Sequence, residues 1–230
     1  MNHALLLIDL QNDFFPGGAL PITEGHATID VANQGIAAAQ QVSMPVIASQ
    51  DWHPANHLSF VVNHPNTIIG ECGELAGLPQ IWWPAHCVQD TRGADFHPLL
   101  HHNAFDAVIQ KGTQPEIDSY SAFFDNGKRT KTALDHVLRQ QGITQLTIMG
   151  LATDYCVKFT VLDALTLGYD VDIVEDGCRG VNLQAEDSEK ALAEMLHHGA
   201  RRILLAEFIV RHQQINTSVR TMSSGYWRSR

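Results

Sequence analysis

Four short hydrophobic runs in this chain each end in a polar residue that is suited to chemistry. These residues are Asp9 after ALLLI, Asp51 after VIASQ, Lys111 after AVIQ and Cys156 after LTIMGLATDY. Parallel strands of one sheet carry their carboxyl ends along a single edge, and open α/β sheets bind ligands at that edge. The pattern therefore predicts that two carboxylates, an ammonium and a thiol share one pocket, as in an enzyme.

Short apolar runs alternate with stretches of helical periodicity along most of the chain. Strands are predicted at 4–9, 45–50, 107–111, 145–150, 170–175 and, in RILLAEFIV, at 202–210. Helices are predicted in GHATIDVANQGIAAAQQ, KTALDHVLRQQG, TDYCVKFTVLDALTLG and EDSEKALAEMLHHG. This alternation predicts an α/β fold, a three-layer sandwich in which a mostly parallel sheet of about six strands carries helices on both faces.

Length and charge limit the class of protein. With 230 residues, 44% of them apolar, the chain can bury a substantial core, so we expect one domain over 1–230. Lys and Arg number 15 against 25 Asp and Glu, and the net charge of -10 gives no basic surface for nucleic acid or an anionic membrane. A small or neutral partner fits better. The start, MNHALLLIDLQ, has no basic flank and too short an apolar run for a signal or a membrane span, which predicts a cytoplasmic protein.

The four cysteines contain no CxxC pair, and a cytoplasmic chain of this length does not depend on disulfides. We therefore expect free thiols. Cys72, Cys87 and Cys178 are predicted to be buried packing residues, which is the commoner environment of a thiol.

Two regions depart from the alternating pattern. The segment at about 51–105 is rich in His, Pro, Gly and Trp, and so long a loop in a domain usually carries function, so half of the active site is expected there. The segment at about 211–230 is polar and basic, with Tyr226 and Trp227 near its end, and is either a disordered tail or a docking arm.

Asp51 and His53 are two residues apart where a predicted strand ends. In extended backbone both side chains point to the same side and can bind one ion. His57 and His86 can complete a site of nitrogen and oxygen ligands that leaves coordination positions open for water or substrate, which is typical of a functional metal. The alternative is chance proximity, because the chain has 13 histidines.

Cys156 stands in a predicted turn from a strand into a helix, with Thr153 or Asp154 available as the N-cap. Free amide N–H groups and the positive end of the helix dipole would favour a thiolate there and bind an oxyanion. A neighbouring Asp9 could accept the thiol proton, and Lys111 would lower the thiol pKa and hold the carboxylate. The alternatives are a solvated lysine and a simple turn aspartate, the role also open to Asp13 and Asp30.

Several aromatic residues near these points are either ordinary core or the walls of a slot for a flat ring: Phe14, Trp52, Trp82, Trp83 and Tyr120. Loop positions favour the slot for Phe14, Trp83 and Tyr120. The sequence has neither GxGxxG after the first strand nor GxxxxGK[ST], so it lacks the glycine cradle of dinucleotide and nucleoside triphosphate sites.

Five segments, in order, resemble the nicotinamidase/pyrazinamidase group of the isochorismatase-like cysteine hydrolases. They are LLLIDLQNDFFPGGAL, SQDWHPANHLSF, WWPAHCVQ, IQKGTQPEIDSYSAF and MGLATDYCVKFTVLDA, and they extend over most of the chain to about residue 180. The combination of DxHP, PxHC and GxATDxC in this order is specific, whereas each segment alone is weak.

The resemblance implies a role for each matching residue. It makes Asp9, Lys111 and Cys156 the catalytic triad; Asp51, His53 and His86 the metal ligands, with His57 as a further candidate; Ala152 and Cys156 the oxyanion donors; and Phe14, Trp83 and Tyr120 the ring-binding wall. It also implies a cis peptide at Leu151–Ala152 and one divalent ion, Zn²⁺ first, with Fe²⁺ or Mn²⁺ as alternatives. The implied reaction is hydrolysis of nicotinamide to nicotinate and ammonia through a cysteine thioester, with pyrazinamide as a second substrate and NAD salvage as the pathway.

Two other interpretations stay open. A sibling hydrolase could cleave a small carbamoyl or ureido amide with the same triad and without a metal, although the DxH and PAHC segments argue against it. A metal-binding or regulatory module with an incidental thiol would leave Asp9 and Lys111 unexplained. The sequence identifies no interface, so a homo-oligomer is left open.

Overall fold

The structure is a computed structural model that describes residues 2–213. Its strands are β1 (His3–Ile8), β2 (Val46–Asp51), β3 (Cys72–Leu75), β4 (Leu78–Ile81), β5 (Ala107–Lys111), β6 (Gln145–Leu151), β7 (Asp170–Arg179) and β8 (Arg201–Ile203). Its α-helices include α1 (Ala27–Gln41), α2 (Leu134–Gln140), α3 (Lys158–Thr166) and α4 (Asp187–His197), the chain is helical again over 205–213, and a π-helical turn covers Thr153–Val157. None of the helices in this part of the chain has the length and apolarity to cross a membrane.

Six of the strands form one parallel sheet in the order β5-β2-β1-β6-β7-β8. Every residue of β1 and β2 is buried, because helices cover both faces of the sheet. Strands buried on both faces need continuous apolar runs, and HALLLI meets that need. The predicted three-layer α/β fold is confirmed.

The register of the sheet brings its polar strand ends together. β2 and β5 end as partners, with Asp51 opposite Lys111. Asp9 follows the last residue of β1, and β6, which pairs with β1 on its other side, leads through Leu151 into the turn that holds Cys156. The prediction that these four residues meet at the carboxyl edge is confirmed.

The sixth strand of the sheet exists but is much shorter than the predicted 202–210, so that prediction is wrong in its bounds. β8 ends at Ile203, and the chain is helical over 205–213. Leu205 and Phe208 are buried whereas Leu204 is 48% exposed, so the apolar residues of RILLAEFIV follow helical spacing after the short strand. The helix includes the first residues of the predicted tail at 211–230, and the rest of that segment lies outside the described residues, so its role stays a prediction.

The loop region at 51–105 contains a hairpin that the sequence did not predict. β3 and β4 pair antiparallel through a turn at Ala76 and Gly77, both with positive φ, as in the tight turns that suit hairpins. Trp82 packs over Gly73, where a Cβ would meet the indole ring. CGEL and LPQI have few β-branched residues, which explains why the strands gave little signal.

All four cysteines are free thiols, as predicted. Cys87 and Cys178 are buried, also as predicted, but Cys72 is exposed because it lies on the two-stranded hairpin instead of in the core. The buried residues of the six-stranded sheet and its helices form one hydrophobic cluster. The assignment of 1–230 to one domain stays a prediction.

Candidate active site

The ammonium of Lys111 is the centre of the candidate site. Its Nζ lies 2.9 Å from Asp9 Oδ2 and 3.4 Å from Cys156 Sγ, and it also contacts Asp51 Oδ1. It donates a further hydrogen bond to the Ser119 carbonyl at 3.0 Å. Although burial opposes a charge, the two carboxylates raise the pKa of Lys111 well above its ordinary value. The side chain is therefore a buried cation that links the other three residues.

Asp9 has a left-handed backbone conformation, with φ 48°, directly after β1. The hydroxyl of Ser49 donates to its Oδ1 at 2.6 Å, and its carboxylate lies within 4.8 Å of the Cys156 sulfur. Burial raises the pKa of Asp9, helped by the negative charge of Asp51, and the cation of Lys111 opposes the shift only in part. Asp9 is thus a stronger base than an ordinary carboxylate.

The environment of Cys156 differs from the prediction in two respects. Burial raises the pKa of the thiol well above its ordinary value, Lys111 opposes this shift only in part, and Asp9 and Asp51 add to it. The sequence predicted a lowered pKa, but that argument omitted desolvation by the surrounding core. The resting group is therefore a thiol, and a thiolate has to form by proton transfer.

The turn that holds Cys156 is also not capped as predicted. The residue before it, Ala152, is the N-cap and makes no side-chain capping bond. The carboxylate of Asp154 instead accepts the N–H groups of Val181 and Asn182, at 2.9 and 2.7 Å, so it joins this turn to the loop after β7. The Leu151–Ala152 peptide is cis, as the resemblance predicted.

The side chains of Asp51, His53 and His86 converge on one point. One ligand atom from each lies within 4.8 Å of the others, with the Nε2 atoms of His53 and His86 at 3.4 and 3.7 Å from Asp51 Oδ2. The Nδ1 atoms of the two imidazoles face the carbonyls of Gly112 and Pro84, both at 2.8 Å. Because a carbonyl only accepts, each Nδ1 carries a proton, so Nε2 is the nitrogen of each ring that can bind an ion.

This donor set fits a first-row divalent ion. Although burial opposes ionisation, the charge of Lys111 holds the pKa of Asp51 well below its ordinary value, so its carboxylate is ready to bind. One carboxylate and two imidazoles match the ligands of Zn²⁺ and leave positions open for water or a ligand. Gly112 has φ 67°, and a Cβ there would collide with the His53 ring, so only glycine fits behind this imidazole.

His57 lies beside this group but not within it. It forms a second cluster with His53 and Asp118. Its Nδ1 is 2.8 Å from the Ser59 hydroxyl and its Nε2 is 3.3 Å from the Ile117 carbonyl. Burial, and then the nearby His53, lower the pKa of His57 to about 4. His57 is thus already engaged in hydrogen bonds, which suits a residue that supports His53.

A pocket opens onto the sulfur of Cys156 and the side chain of Asp51. Its lining includes the three aromatic residues that the sequence favours for a ring slot, Phe14, Trp83 and Tyr120. It also includes residues that the sequence did not indicate for the slot: Tyr155, Leu20, Val181 and Asp118. Tyr155 packs edge-on to Trp83, with ring centroids 5.0 Å apart. Trp82 lies elsewhere and packs on His64. The pocket is therefore a slot with aromatic walls between the thiol of Cys156 and the side chains of Asp51 and His86.

A polar network behind the slot was also missed. Gln80, buried in β4, donates to Asp118 Oδ2 at 2.9 Å and to the Tyr120 hydroxyl at 3.3 Å. Trp83 Nε1 donates to the same hydroxyl at 3.2 Å. The network depends on the hairpin, so no local pattern in the sequence could have indicated Gln80.

The residues over 3–207 match the family model of the isochorismatase domain. The chain therefore belongs to the isochorismatase domain family. It is 59% identical over 209 residues to the nicotinamidase of Escherichia coli (strain K12), an alignment that covers 90% of this chain and 96% of that protein.

Solved structures agree in fold. A nicotinamidase pyrazinamidase of Acinetobacter baumanii is 39% identical with a TM-score of 0.85, covering 90% of this chain and 98% of that one. The pyrazinamidase of Pyrococcus horikoshii in complex with zinc is 37% identical with a TM-score of 0.73, covering 89% of this chain and 99% of that one.

Proposed function

We propose that this protein is a nicotinamidase that hydrolyses nicotinamide to nicotinate and ammonia and also accepts pyrazinamide. The observation that carries the proposal is the buried Lys111, which contacts Asp9 and Cys156 beside an aromatic slot and a set of metal ligands. The high identity to a nicotinamidase supports the choice of substrate. A cytoplasmic role in NAD salvage belongs to the same proposal.

Asp51, His53 and His86 would hold the divalent ion, with Zn²⁺ as the first candidate. When bound, the ion supplies a Lewis acid that can bind the ring nitrogen of a pyridine. Phe14, Trp83 and Tyr120 would hold the flat ring from its sides, which leaves the carboxamide facing Cys156.

The first half of the reaction forms a thioester. Asp9 accepts the proton of the Cys156 thiol, and the sulfur adds to the carboxamide carbon. The N–H groups of Ala152 and Cys156 bind the resulting oxyanion. When the C–N bond breaks, Asp9 returns the proton to nitrogen and ammonia leaves. Lys111 stays charged throughout and compensates the charge that moves between sulfur and carboxylate.

The second half uses the same carboxylate. Asp9 takes a proton from water while the water oxygen adds to the thioester carbon, and the same N–H groups bind the second oxyanion. The C–S bond then breaks, Asp9 returns the proton to sulfur, and nicotinic acid leaves and loses its own proton to water to give nicotinate. The raised pKa of Asp9 suits a group that must accept and return a proton in each half.

Ammonia release from nicotinamide by the purified protein tests the proposal. Zn²⁺-loaded protein should turn over nicotinamide, and removal of the ion by a chelator should reduce the rate by about 100-fold or more, with recovery on re-addition. Ammonia release is also measured with three other substrates, which are pyrazinamide, a ureido amide and a carbamoyl amide. Turnover of the last two without nicotinamide turnover would sink the proposed substrate while leaving the triad in place.

A further inference from the structure

The carboxylate of Asp13 joins two loops next to the metal ligands. Its Oδ2 accepts the N–H of Cys87 at 2.7 Å and its Oδ1 accepts the N–H of Ala19 at 3.1 Å. Its own N–H donates to the Gly93 carbonyl at 3.0 Å. Asp13 therefore does more than close the turn after β1, because it binds a distant loop through its side chain.

The peptide that Asp13 binds lies between two metal ligands. Cys87 directly follows His86, and its carbonyl accepts the N–H of His53 at 3.0 Å. Its φ of 46° is in the left-handed region, which a cysteine rarely adopts without support from its surroundings. One residue thus connects the backbones of His86 and His53, and Asp13 fixes its N–H.

The packing around the Asp13 carboxylate leaves it little freedom. A Cβ added at Gly93 would collide with both carboxylate oxygens, so a side chain is excluded where the carboxylate lies. The charged acceptor is held in one place, and a charge-assisted hydrogen bond to Cys87 is stronger than a neutral one.

Gln11, two residues earlier in the same turn, also holds the backbone of a proposed metal ligand through hydrogen bonds, in this case that of Asp51. Its fully buried amide accepts the N–H of Asp51 at 2.8 Å and donates to the Asp51 carbonyl, also at 2.8 Å. The same amide donates to the Ala94 carbonyl at 2.8 Å. The turn after β1 therefore holds the backbones of Asp51 and of the residue next to His86.

We infer that Asp13, together with Gln11, is a positioning residue of the metal site and sets the place of His86 relative to Asp51 and His53. The inference rests on the proposed function, because it assumes that these residues bind an ion. An ion is bound tightly when its ligands are in place before it arrives. Loss of an outer partner that orients a ligand weakens metal binding by about 10- to 100-fold.

The test is the dissociation constant of Zn²⁺, measured by competition with a chromophoric chelator, in the wild type, Asp13→Asn and Asp106→Asn. Asparagine keeps one oxygen, so one of the two N–H groups that face Asp13 would meet an amide N–H instead. Asp106 is the matched control, since its carboxylate also accepts a backbone N–H, that of Val46 at 2.7 Å, at the opposite end of β2. Asp13→Asn should weaken Zn²⁺ binding about 10- to 100-fold, and Asp106→Asn should leave it unchanged.

A second variant and a second readout keep the inference open to refutation if Asp13→Asn folds poorly. Gln11→Glu removes the two hydrogen bonds that the amide donates, and it should weaken Zn²⁺ binding in the same range. The visible spectrum of the Co²⁺-loaded protein reports the ligand arrangement and should change in both variants. Wild-type affinity and spectrum in both would overturn the inference. A wild type that binds no Zn²⁺ would overturn the proposed metal site and the inference with it.

Discussion

The two ends of the parallel sheet each bury a polar cluster, and the clusters differ in charge. At the carboxyl edge Asp9, Asp51 and Lys111 are buried as ionisable groups in contact. At the amino edge His3 and His212 are buried as a pair, with Nδ1 of His3 3.1 Å from Nε2 of His212. Both clusters satisfy the same need to pair buried polar atoms, but only the first does so with charges.

The hydrogen bonds at the amino edge run in one direction and require neutral rings. The Thr147 hydroxyl donates to His3 Nε2 at 2.8 Å, His3 Nδ1 donates to His212, and His212 Nδ1 donates to the Phe208 carbonyl at 2.7 Å. Each neutral imidazole donates one bond and accepts one. Burial is the largest of the effects that lower the pKa of His3 to about 4, so His3 is neutral and the network is complete at neutral pH.

In the proposed mechanism the carboxyl edge serves proton transfer and not stability. The raised pKa of Asp9 means that its environment disfavours the ionised form that catalysis needs. The left-handed backbone of Asp9 adds to this cost, as expected where conformation is fixed by function. Changes at the carboxyl edge should therefore remove activity without loss of stability, and changes at the amino edge should do the reverse.

The largest expected effect is that of Cys156→Ala. Loss of the nucleophile should reduce the rate of ammonia release by about 10⁴-fold or more, because no other group in the proposed site can form the covalent intermediate. Bound Zn²⁺, measured by elemental analysis, should stay at the wild-type level, since Cys156 is not a member of the group of Asp51, His53 and His86, although it lies near Asp51 in a separate group with Asp9. Cys178→Ala is the matched control, a buried thiol with no catalytic contact, and should retain turnover. Loss of Zn²⁺ from Cys156→Ala would contradict separate roles for the two sites.

Asp9→Asn should have the second largest effect. Without the base, kcat should fall by about 10²- to 10⁴-fold. A group whose pKa is raised on folding stabilises the fold below its unfolded pKa and loses that contribution as pH rises through the folded pKa. The ionised carboxylate of Asp9 therefore lowers the stability of the fold at neutral pH. In Asp9→Asn an uncharged amide of the same shape replaces it, so the midpoint of urea unfolding should equal or exceed the wild-type value. A clearly lower midpoint would show that the ion pair with Lys111 outweighs burial.

The sequence predicts the parts of the site that depend on strand ends. Asp51 and Lys111 end paired strands, so the apolar runs before them are enough to bring them together. Residues that reach the site through irregular structure are different. Gln80 arrives on a hairpin with weak strand signal, and Tyr155 on a π-helical turn. Their places depend on tertiary packing, which no local pattern encodes.

The errors have the same origin. The direction of the Cys156 pKa shift was wrong because desolvation depends on what packs around the thiol, whereas the helix dipole can be inferred from sequence. The segment at 202–210 is apolar almost throughout, so periodicity alone could not separate a strand from a short strand followed by a helix. Asp13 follows a strand closely, and only the contact with Cys87 distinguishes it from a turn residue.

His3→Gln is expected to have the smallest effect on activity and a measurable effect on stability. The depressed pKa of His3 contributes stability that is present above its unfolded pKa of 6.5 and is lost as pH falls toward about 4. Between about pH 7.5 and about pH 5 this loss is about 2 kcal/mol in the free energy of unfolding. Asp172, Arg201 and Arg211 lie near the pair and are the same in the wild type and in His3→Gln, so the difference between the two proteins reports on His3.

Urea unfolding of the wild type and His3→Gln at both pH values measures this contribution. Glutamine does not titrate, so the variant should be less stable than the wild type at the higher pH and should lose less stability on acidification. His136→Gln, an exposed histidine on α2, is the matched control and should keep the wild-type pH dependence. Ammonia release by His3→Gln should equal that of the wild type, because the full length of β1 separates His3 from Asp9. A large loss of turnover in this variant would mean that the two edges are coupled through the strand, and the contrast between a catalytic and a stabilising cluster would fail.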